Sequence, residues 1–357
     1  MSNTQPCKLV FGAAGPLWRQ HAPQVVELLR EAGVNEIDVA QVYLDSEKTA
    51  GDVGAARYFR IGTKELGCGG LIVGDGPATK ENVIRRALHS LELLKVDHVD
   101  IFYIHGPDRT IPFEETLEGI DALHRMGKFN HFGLSNFLPD EVEKVVKICR
   151  ERRFVPPTVY EGNYNPIARK PETLLFPMLE KYGITFYAYS PLAGGFLAKS
   201  KEDVLAKKCP KFDANSGLVG LIYSTLYNKP SHLEALEEWT AISKKSGIPQ
   251  AELAYRWTAY HSLLDRQRGD AMLFGASSLQ QLRQTLEGLK RGPLPPDVAG
   301  AVENVWRLVE HDAGFDNLNL NSFEAADAPD FKAMYDQAHE GQKFPVQVVA
   351  EQRVEMV

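Results

Sequence analysis

The sequence predicts one closed parallel (β/α)8 barrel of the TIM type, and three observations carry that expectation. Eight short strand-like runs alternate with longer segments whose apolar residues recur at helical period. The eight units occupy roughly 290 residues, near the roughly 250 typical of such barrels before insertions, so a single domain over residues 1–357 accounts for the length. The stretch after the first strand, GAAGPLWRQH, lacks the GxGxxG turn that opens a helix in a doubly wound dinucleotide-binding sheet, which is the rival architecture.

In chain order, the expected strands are Lys8 to Phe11, Glu36 to Val39, Tyr58 to Gly62, Val99 to Ile104, His131 to Leu134, Thr158 to Glu161, Ile184 to Tyr189 and Ala271 to Phe274. Thr79 is placed to cap a helix whose apolar face is Val83, Ala87, Leu88, Leu91 and Leu94. After Pro112, Leu117, Ile120, Leu123 and Met126 form another such face, which Gly127 ends. Ser278 caps a third helix through Leu279, Leu282, Leu286 and Leu289. The barrel core thus runs over about residues 8–290. Two regions break the alternation: residues 192–232, read as a long loop after the seventh strand, and the C-terminal extension 291–357. The tail FDNLNLNSFEAADAPDF reads as loop and small helices. Both regions are expected on the catalytic face, where long connections cover or shape a site.

Composition excludes several classes of function. The chain is 44% hydrophobic with a net charge of −7, and its basic residues are scattered, so nucleic acid and anionic membrane are poor partners. The run RERR at 150–153 reads as a solvated helix end. No run of about 18 apolar residues and no basic-then-apolar leader occur, which leads us to expect a soluble cytoplasmic protein. Cys7, Cys68, Cys149 and Cys209 form no CxxC pair and no zinc-ligand spacing, and are expected as reduced thiols. The sequence leaves monomer and homodimer equally open.

In a barrel the site lies where strands end and βα loops begin. The second strand ends in NEIDVAQVY, giving Asp38 and Tyr43. The third ends in RIGTK, giving Lys64, and the fourth ends in DIFYIHGPD, giving His105. Each alone has an ordinary structural reading as a cap, a packed ring, a solvated charge or a buried plug. Together they make an acid–base device. A phenol, with a pKa near 10, is a poor proton donor until a neighbouring ammonium favours its phenolate. Lys64 can supply that charge, a partly buried lysine needs a counter-ion, and Asp38 can be it. His105 would hold the reacting oxygen in place.

At this point IDVAQVYLDSE, IGTK and IFYIHGPD resemble the aldo-keto reductases, in that superfamily's order and spacing, and the likeness runs from about Lys8 to Leu289. The segments HGPDRTIPFEETLEGIDALHRMGKFNHFGLSNF and YNPIAR are most similar to the aflatoxin-aldehyde reductase branch, in a fungal-looking version. The resemblance implies NADPH-dependent reduction of a small-molecule aldehyde or ketone to an alcohol, in carbonyl detoxification or secondary metabolism. The 4-pro-R hydride would go to the carbonyl carbon while Tyr43 donates the proton. It further implies that Ser135 and Asn136 bind the nicotinamide carboxamide, that Tyr189 stacks on the ring, and that Ser190, Leu192 and Gly194 wrap the pyrophosphate.

The chain departs from that pattern in several places. Glu161 stands where a glutamine is usual, and a carboxylate can accept from the carboxamide NH2 but cannot donate to its oxygen. In FGASSLQQLRQT, which matches the adenosine-end loop with Ser277 and a plausible anion site at the Ser278 helix start, Gly275 and Gln281 replace a common Lys and Arg, and Thr285 a common Asn. Lys199, Lys211 and Arg283 are the substitutes expected for the 2′-phosphate, and NADP(H) remains the expected cofactor. Trp18, the loop from Pro107 to Ile111, Tyr223, Tyr227 and the tail are expected to shape an apolar substrate pocket. Two rival functions stand beside the reductase: a catalytically weak, cofactor-sensing regulatory protein of the same fold, and a barrel glycosidase using Asp38 and Glu161 as paired carboxylates, against which Lys64 and Tyr43 argue.

Overall fold

The computed structural model describes residues 5–68 and 74–319. Strands β1 (Lys8–Gly12), β2 (Glu36–Asp38), β3 (Arg60–Glu65), β4 (Val99–Ile104), β5 (Phe129–Ser135), β6 (Pro157–Asn163), β7 (Thr185–Tyr189) and β8 (Ala271–Phe274) pair in sequence order, all parallel. β8 returns to β1 in the register Lys8 to Ala271 through Phe11 to Phe274, closing the barrel.

Two apolar layers hold this ring. Inside it, Val10, Ile101, Tyr103, Val159, Tyr187, Ala271 and Leu273 pack against one another. Gly133 is bare because a Cβ there would fall within the ring of Tyr103, so this glycine makes room for the aromatic plug. The N-terminal mouth is closed by charge: Glu36 accepts from Tyr187 at 3.0 Å and pairs with Lys8 at 2.7 Å and Arg60 at 3.3 Å. Outside it, helices cover the strands with their apolar faces.

Those helices follow their local sequence. Thr79 accepts from the Asn82 amide at 3.3 Å to start Lys80–Leu94, and Ser278 accepts from the Gln281 amide at 3.2 Å to start Leu279–Lys290. Gly127, at φ +68°, ends the segment after Phe113–Arg125. The expected faces need two corrections. Leu88 is 38% and Met126 48% exposed, because each lies at the flank of its helix and not on the stripe facing the barrel.

Two larger expectations are also corrected. The third strand runs Arg60–Glu65 and not Tyr58 to Gly62: Thr63, Lys64 and Glu65 are wholly buried polar residues, so the inward continuation of the strand has no hydrophobic signature. Residues 192–232 are not a loop. They hold a 3-10 segment Ala193–Ala198 and helices Lys201–Leu205 and Gly217–Tyr227, leading into Pro230–Ser246. The sequence GLVGLIYSTLY is apolar at nearly every position, which removes the 3.6-residue alternation that would mark a helix. The tail begins with the helix Pro296–Val309, whose Val298, Val302, Val305 and Val309 are buried, and residues 313–319 then fold back onto the barrel mouth. Residues 320–357, with most of the expected small tail helices, lie outside the described residues. Among the described residues no helix is long and apolar enough to cross a membrane.

Candidate active site

The C-terminal mouth of the barrel opens into a cavity of about 590 Å³. Its floor is built by register. Asp38 ends β2 opposite Gly62, where a Cβ would lie 3.4 Å from the Asp38 carboxylate and 3.3 Å from the Tyr103 ring, so the glycine leaves space for an inward acid. Lys64 follows on the same inward face of β3, fully buried and paired with Tyr103 of β4. Its ammonium donates to Asp38 and to the Val39 carbonyl at 3.3 Å, and stands 3.4 Å from Glu161 of β6 and 5.3 Å from the Tyr43 ring. Tyr43 sits on the turn after β2, fixed by its amide donating to the Ala40 carbonyl at 3.0 Å. Its hydroxyl is 3.5 Å from Nε2 of His105, with the two rings edge to face. His105 is itself placed by its amide, which donates to Glu65 at 3.0 Å. The structure therefore brings Asp38, Tyr43, Lys64 and His105 into one cluster.

Burial and charge set the protonation states. Burial disfavours the charge on Lys64, but Asp38 and Glu161 more than offset it and hold the ammonium above its ordinary value. Burial raises the Tyr43 phenol, and Lys64 only partly opposes this, so the expected net lowering by the lysine is corrected: at rest the hydroxyl keeps its proton. Burial, then the repulsion of Lys64, lowers the His105 imidazolium to about 3, leaving a neutral ring. Burial and then Asp38 push Glu161 up to about 8 against the pull of Lys64. Its Oε2 has no hydrogen-bond partner.

The expected cofactor residues form the wall on one side. Asn136, at φ +59°, donates to the His105 carbonyl at 2.8 Å and to Ser135 at 3.0 Å, and accepts from the Tyr189 hydroxyl at 2.7 Å. Ser190, Ala193, Gly194 and Gly195 all have positive φ, winding the chain tightly around the cavity edge, and a Cβ on Gly194 would strike the Tyr223 ring. Leu192, Gly194, Tyr223, Gly275, Ser277 and Gln281 line the cavity, as does Lys211, whose ammonium rests 4.0 Å from the centre of the Tyr223 ring.

Other expected residues lie elsewhere. Trp18 is wholly buried against Phe11 and donates to the Ser46 carbonyl at 3.1 Å, so it is core and not pocket. Tyr227 is buried behind Tyr223 and accepts from Asn163 at 3.1 Å. Lys199 does not line the cavity, and its carbonyl accepts from Gln250 at 3.4 Å. Thr285 is one helix turn too deep and hydrogen-bonds Tyr255, while Arg283 is exposed outside the cavity lining. The 107–111 loop does not line it either. Its Arg109 binds Glu141 at 2.6 Å and Asn319 at 3.1 Å, which ties down the returning tail. The tail does reach the pocket as expected, through Asn317 and Leu318, which no motif singles out; Leu66 and Cys68, which the sequence reading missed, were in principle findable, since they follow β3 directly.

Comparisons with known proteins bear on the family of the chain. The Aldo/keto reductase family pattern matches residues 8–307. The chain is 38% identical over 301 residues to Oxidoreductase sirO of Leptosphaeria maculans, covering 84% of this chain and 89% of that protein. It is 37% identical over 312 residues to human Aflatoxin B1 aldehyde reductase member 2, covering 82% and 85%. It is 30% identical over 233 residues to Aldo-keto reductase pigE of Monascus ruber, covering 64% and 68%.

Proposed function

The chain belongs to the aldo/keto reductase family, and from that premise we propose that it reduces a largely apolar aldehyde or ketone to the alcohol, with NADPH as the reductant. The observation that carries this reading is the Tyr43 hydroxyl held between His105 and the buried Lys64–Asp38 pair at the floor of the cavity.

The residues present fit a nicotinamide dinucleotide. Ser135, Asn136 and Glu161 offer polar groups to the cavity, Tyr189 a ring, and the tightly wound 190–195 segment a backbone cradle. At the other end Ser277 and Gln281 lie at the start of the helix Leu279–Lys290, with Lys211 as the cation to meet phosphate. When bound, the nicotinamide supplies hydride to the carbonyl carbon.

The chain's own residues do the rest. Neutral His105 orients the carbonyl oxygen without adding charge, and Tyr43 gives that oxygen its proton. Lys64 stabilises the phenolate that forms, and Asp38 keeps Lys64 charged and aimed. Val42, Leu66, Ile222, Tyr223 and Leu318 give the cavity an apolar wall, which suits an apolar or aromatic carbonyl compound. The chain is similar to an oxidoreductase and an aldo-keto reductase of fungi, and we infer for this chain a role in reducing small carbonyl compounds, in secondary metabolism or carbonyl detoxification, in the cytoplasm. The test is NADPH oxidation with carbonyls such as 4-nitrobenzaldehyde and succinic semialdehyde. Carbonyl-dependent oxidation is expected, and no oxidation above background with any carbonyl tried would overturn the reading.

A further inference from the structure

Lys64 is one buried cation facing two buried carboxyls. Asp38 is in direct contact with its ammonium, whereas Glu161 stands at 3.4 Å. All three are at most 3% exposed, so a second full negative charge would be unbalanced. Glu161 Oε2 has no partner, yet the residue lines the cavity. The titratable groups acting with it are Asp38 from β2, Tyr43 from the following turn, Lys64 from β3 and Tyr103 from β4; its register neighbours are Ser135 of β5 and Tyr187 of β7.

We propose that Glu161 is a positioning residue that holds a proton beside the Lys64–Asp38 pair and, by losing it, sets the alkaline limit of carbonyl reduction through Tyr43. The inference rests on the reductase reading above.

The charge count gives the direction. In the reaction the O–H bond of Tyr43 breaks, its proton passes to the carbonyl oxygen, and a phenolate remains. With Glu161 protonated, the group of Lys64, Asp38, Glu161 and Tyr43 goes from neutral to a charge of −1. With Glu161 ionised it goes from −1 to −2 around the same single ammonium, which makes Tyr43 a weaker acid. Burial raises both carboxyls and the two share a hydrogen bond, so with one ammonium beside them the pair keeps one proton, held on Glu161 up to about pH 8. A protonated Glu161 carries a donor as well as an acceptor, as a glutamine amide does, which lessens the mismatch raised by a carboxylate at this position.

Two measurements test this. Infrared difference spectra of the cofactor-free protein between pH about 6.5 and about 9.5, spanning the value of about 8, are expected to show the carbonyl stretch of a buried carboxylic acid disappearing with rising pH, and to lack that band in Glu161→Gln. The reduction rate is expected to be about tenfold or more lower at the alkaline pH than at the acid pH in the wild type, since about 1.5 pH units past its midpoint a group keeps roughly 3% of its proton, and less than about threefold lower in Glu161→Gln. A missing band in a protein that does reduce carbonyls overturns the proposal and leaves the reductase reading standing, as does an identical rate ratio in the two proteins. A band that titrates as described in a protein that reduces no carbonyl at any pH overturns the reductase reading, and with it the pH limit assigned to Glu161.

Discussion

The hydroxyl of Tyr43 lies 3.5 Å from Nε2 of His105, and the two rings meet edge to face at 5.4 Å between centres. One arrives on a turn after β2 and the other at the end of β4, so β3 stands between their strands in the sheet. That strand carries Lys64, and the relationship therefore includes its ammonium beneath the phenol ring.

His105 is neutral down to about pH 3 in the folded protein. Replacement by Gln is expected to lower kcat less than loss of the phenol does, and to change the order of preference among carbonyl substrates. Steady-state kinetics over several aldehydes checks this. The same depressed value predicts a stability effect. Between the unfolded histidine value of about 6.5 and the folded value the unfolded chain binds the extra proton, so His105 contributes stability above that window and loses it as pH falls through it. Urea midpoints at pH 7 and 5 should differ by less in His105→Gln than in the wild type.

Lys64→Met removes the only cation, among the described residues, in contact with the buried carboxyls of Asp38 and Glu161. Breaking a buried pair in this way typically costs about 3–5 kcal/mol. The loss is expected to be larger at pH 8 than at pH 5.5, because Glu161 already holds a proton and at the lower pH Asp38, raised by burial, can take one up in place of the missing charge. Denaturant titration at the two values measures it, and an equal loss at both would contradict the charge assignment.

Lys211 is exposed at the cavity rim and rests on Tyr223. Lys211→Ala is expected to weaken NADPH binding by about tenfold, in the range of a hydrogen bond to a charged group. NADH binding should weaken less if the amine meets the 2′-phosphate, and equally if it meets the pyrophosphate. Fluorescence titration of both cofactors separates the two, and no change for either would remove Lys211 from the cofactor site.

Arg109 joins the loop after β4 to Glu141 and to Asn319 of the returning tail. Arg109→Ala is expected to loosen residues 313–319 and so raise KM for the carbonyl several-fold while kcat changes little, because Leu318 lines the cavity but the Tyr43 cluster rests on the barrel itself. Hydrogen exchange at the amides of Asn317 and Asn319 would report the loosening directly.

The barrel was legible in the sequence because its strands are short apolar runs and its covering helices keep one apolar stripe, as Val83, Ala87, Leu91 and Leu94 do. The catalytic floor was legible because Asp38, Lys64 and His105 stand at strand ends, where position alone implies convergence. What escaped has physical reasons. The buried polar run Thr63 to Glu65 carries β3 past the apolar stretch by which its range is read, so the pattern alone stops at Gly62. The helix Gly217–Tyr227 is apolar on all sides and shows no period. Trp18 and Tyr227 look like pocket aromatics in sequence but are core, since a large ring near a site satisfies either environment. Asn317 and Leu318 reach the cavity through a fold-back fixed by Arg109, a contact between residues 210 positions apart that no local pattern encodes.

The central claim is that Tyr43 gives the proton to the carbonyl oxygen. Its direct test is the single-turnover rate of Tyr43→Phe with saturating NADPH and an aromatic aldehyde. Positioned proton transfer is worth roughly 10² to 10⁴-fold, so the variant is expected to bind NADPH as the wild type does and to reduce the aldehyde at about a hundredth of the rate or less. A variant that keeps more than about a tenth of the wild-type rate would contradict the assignment.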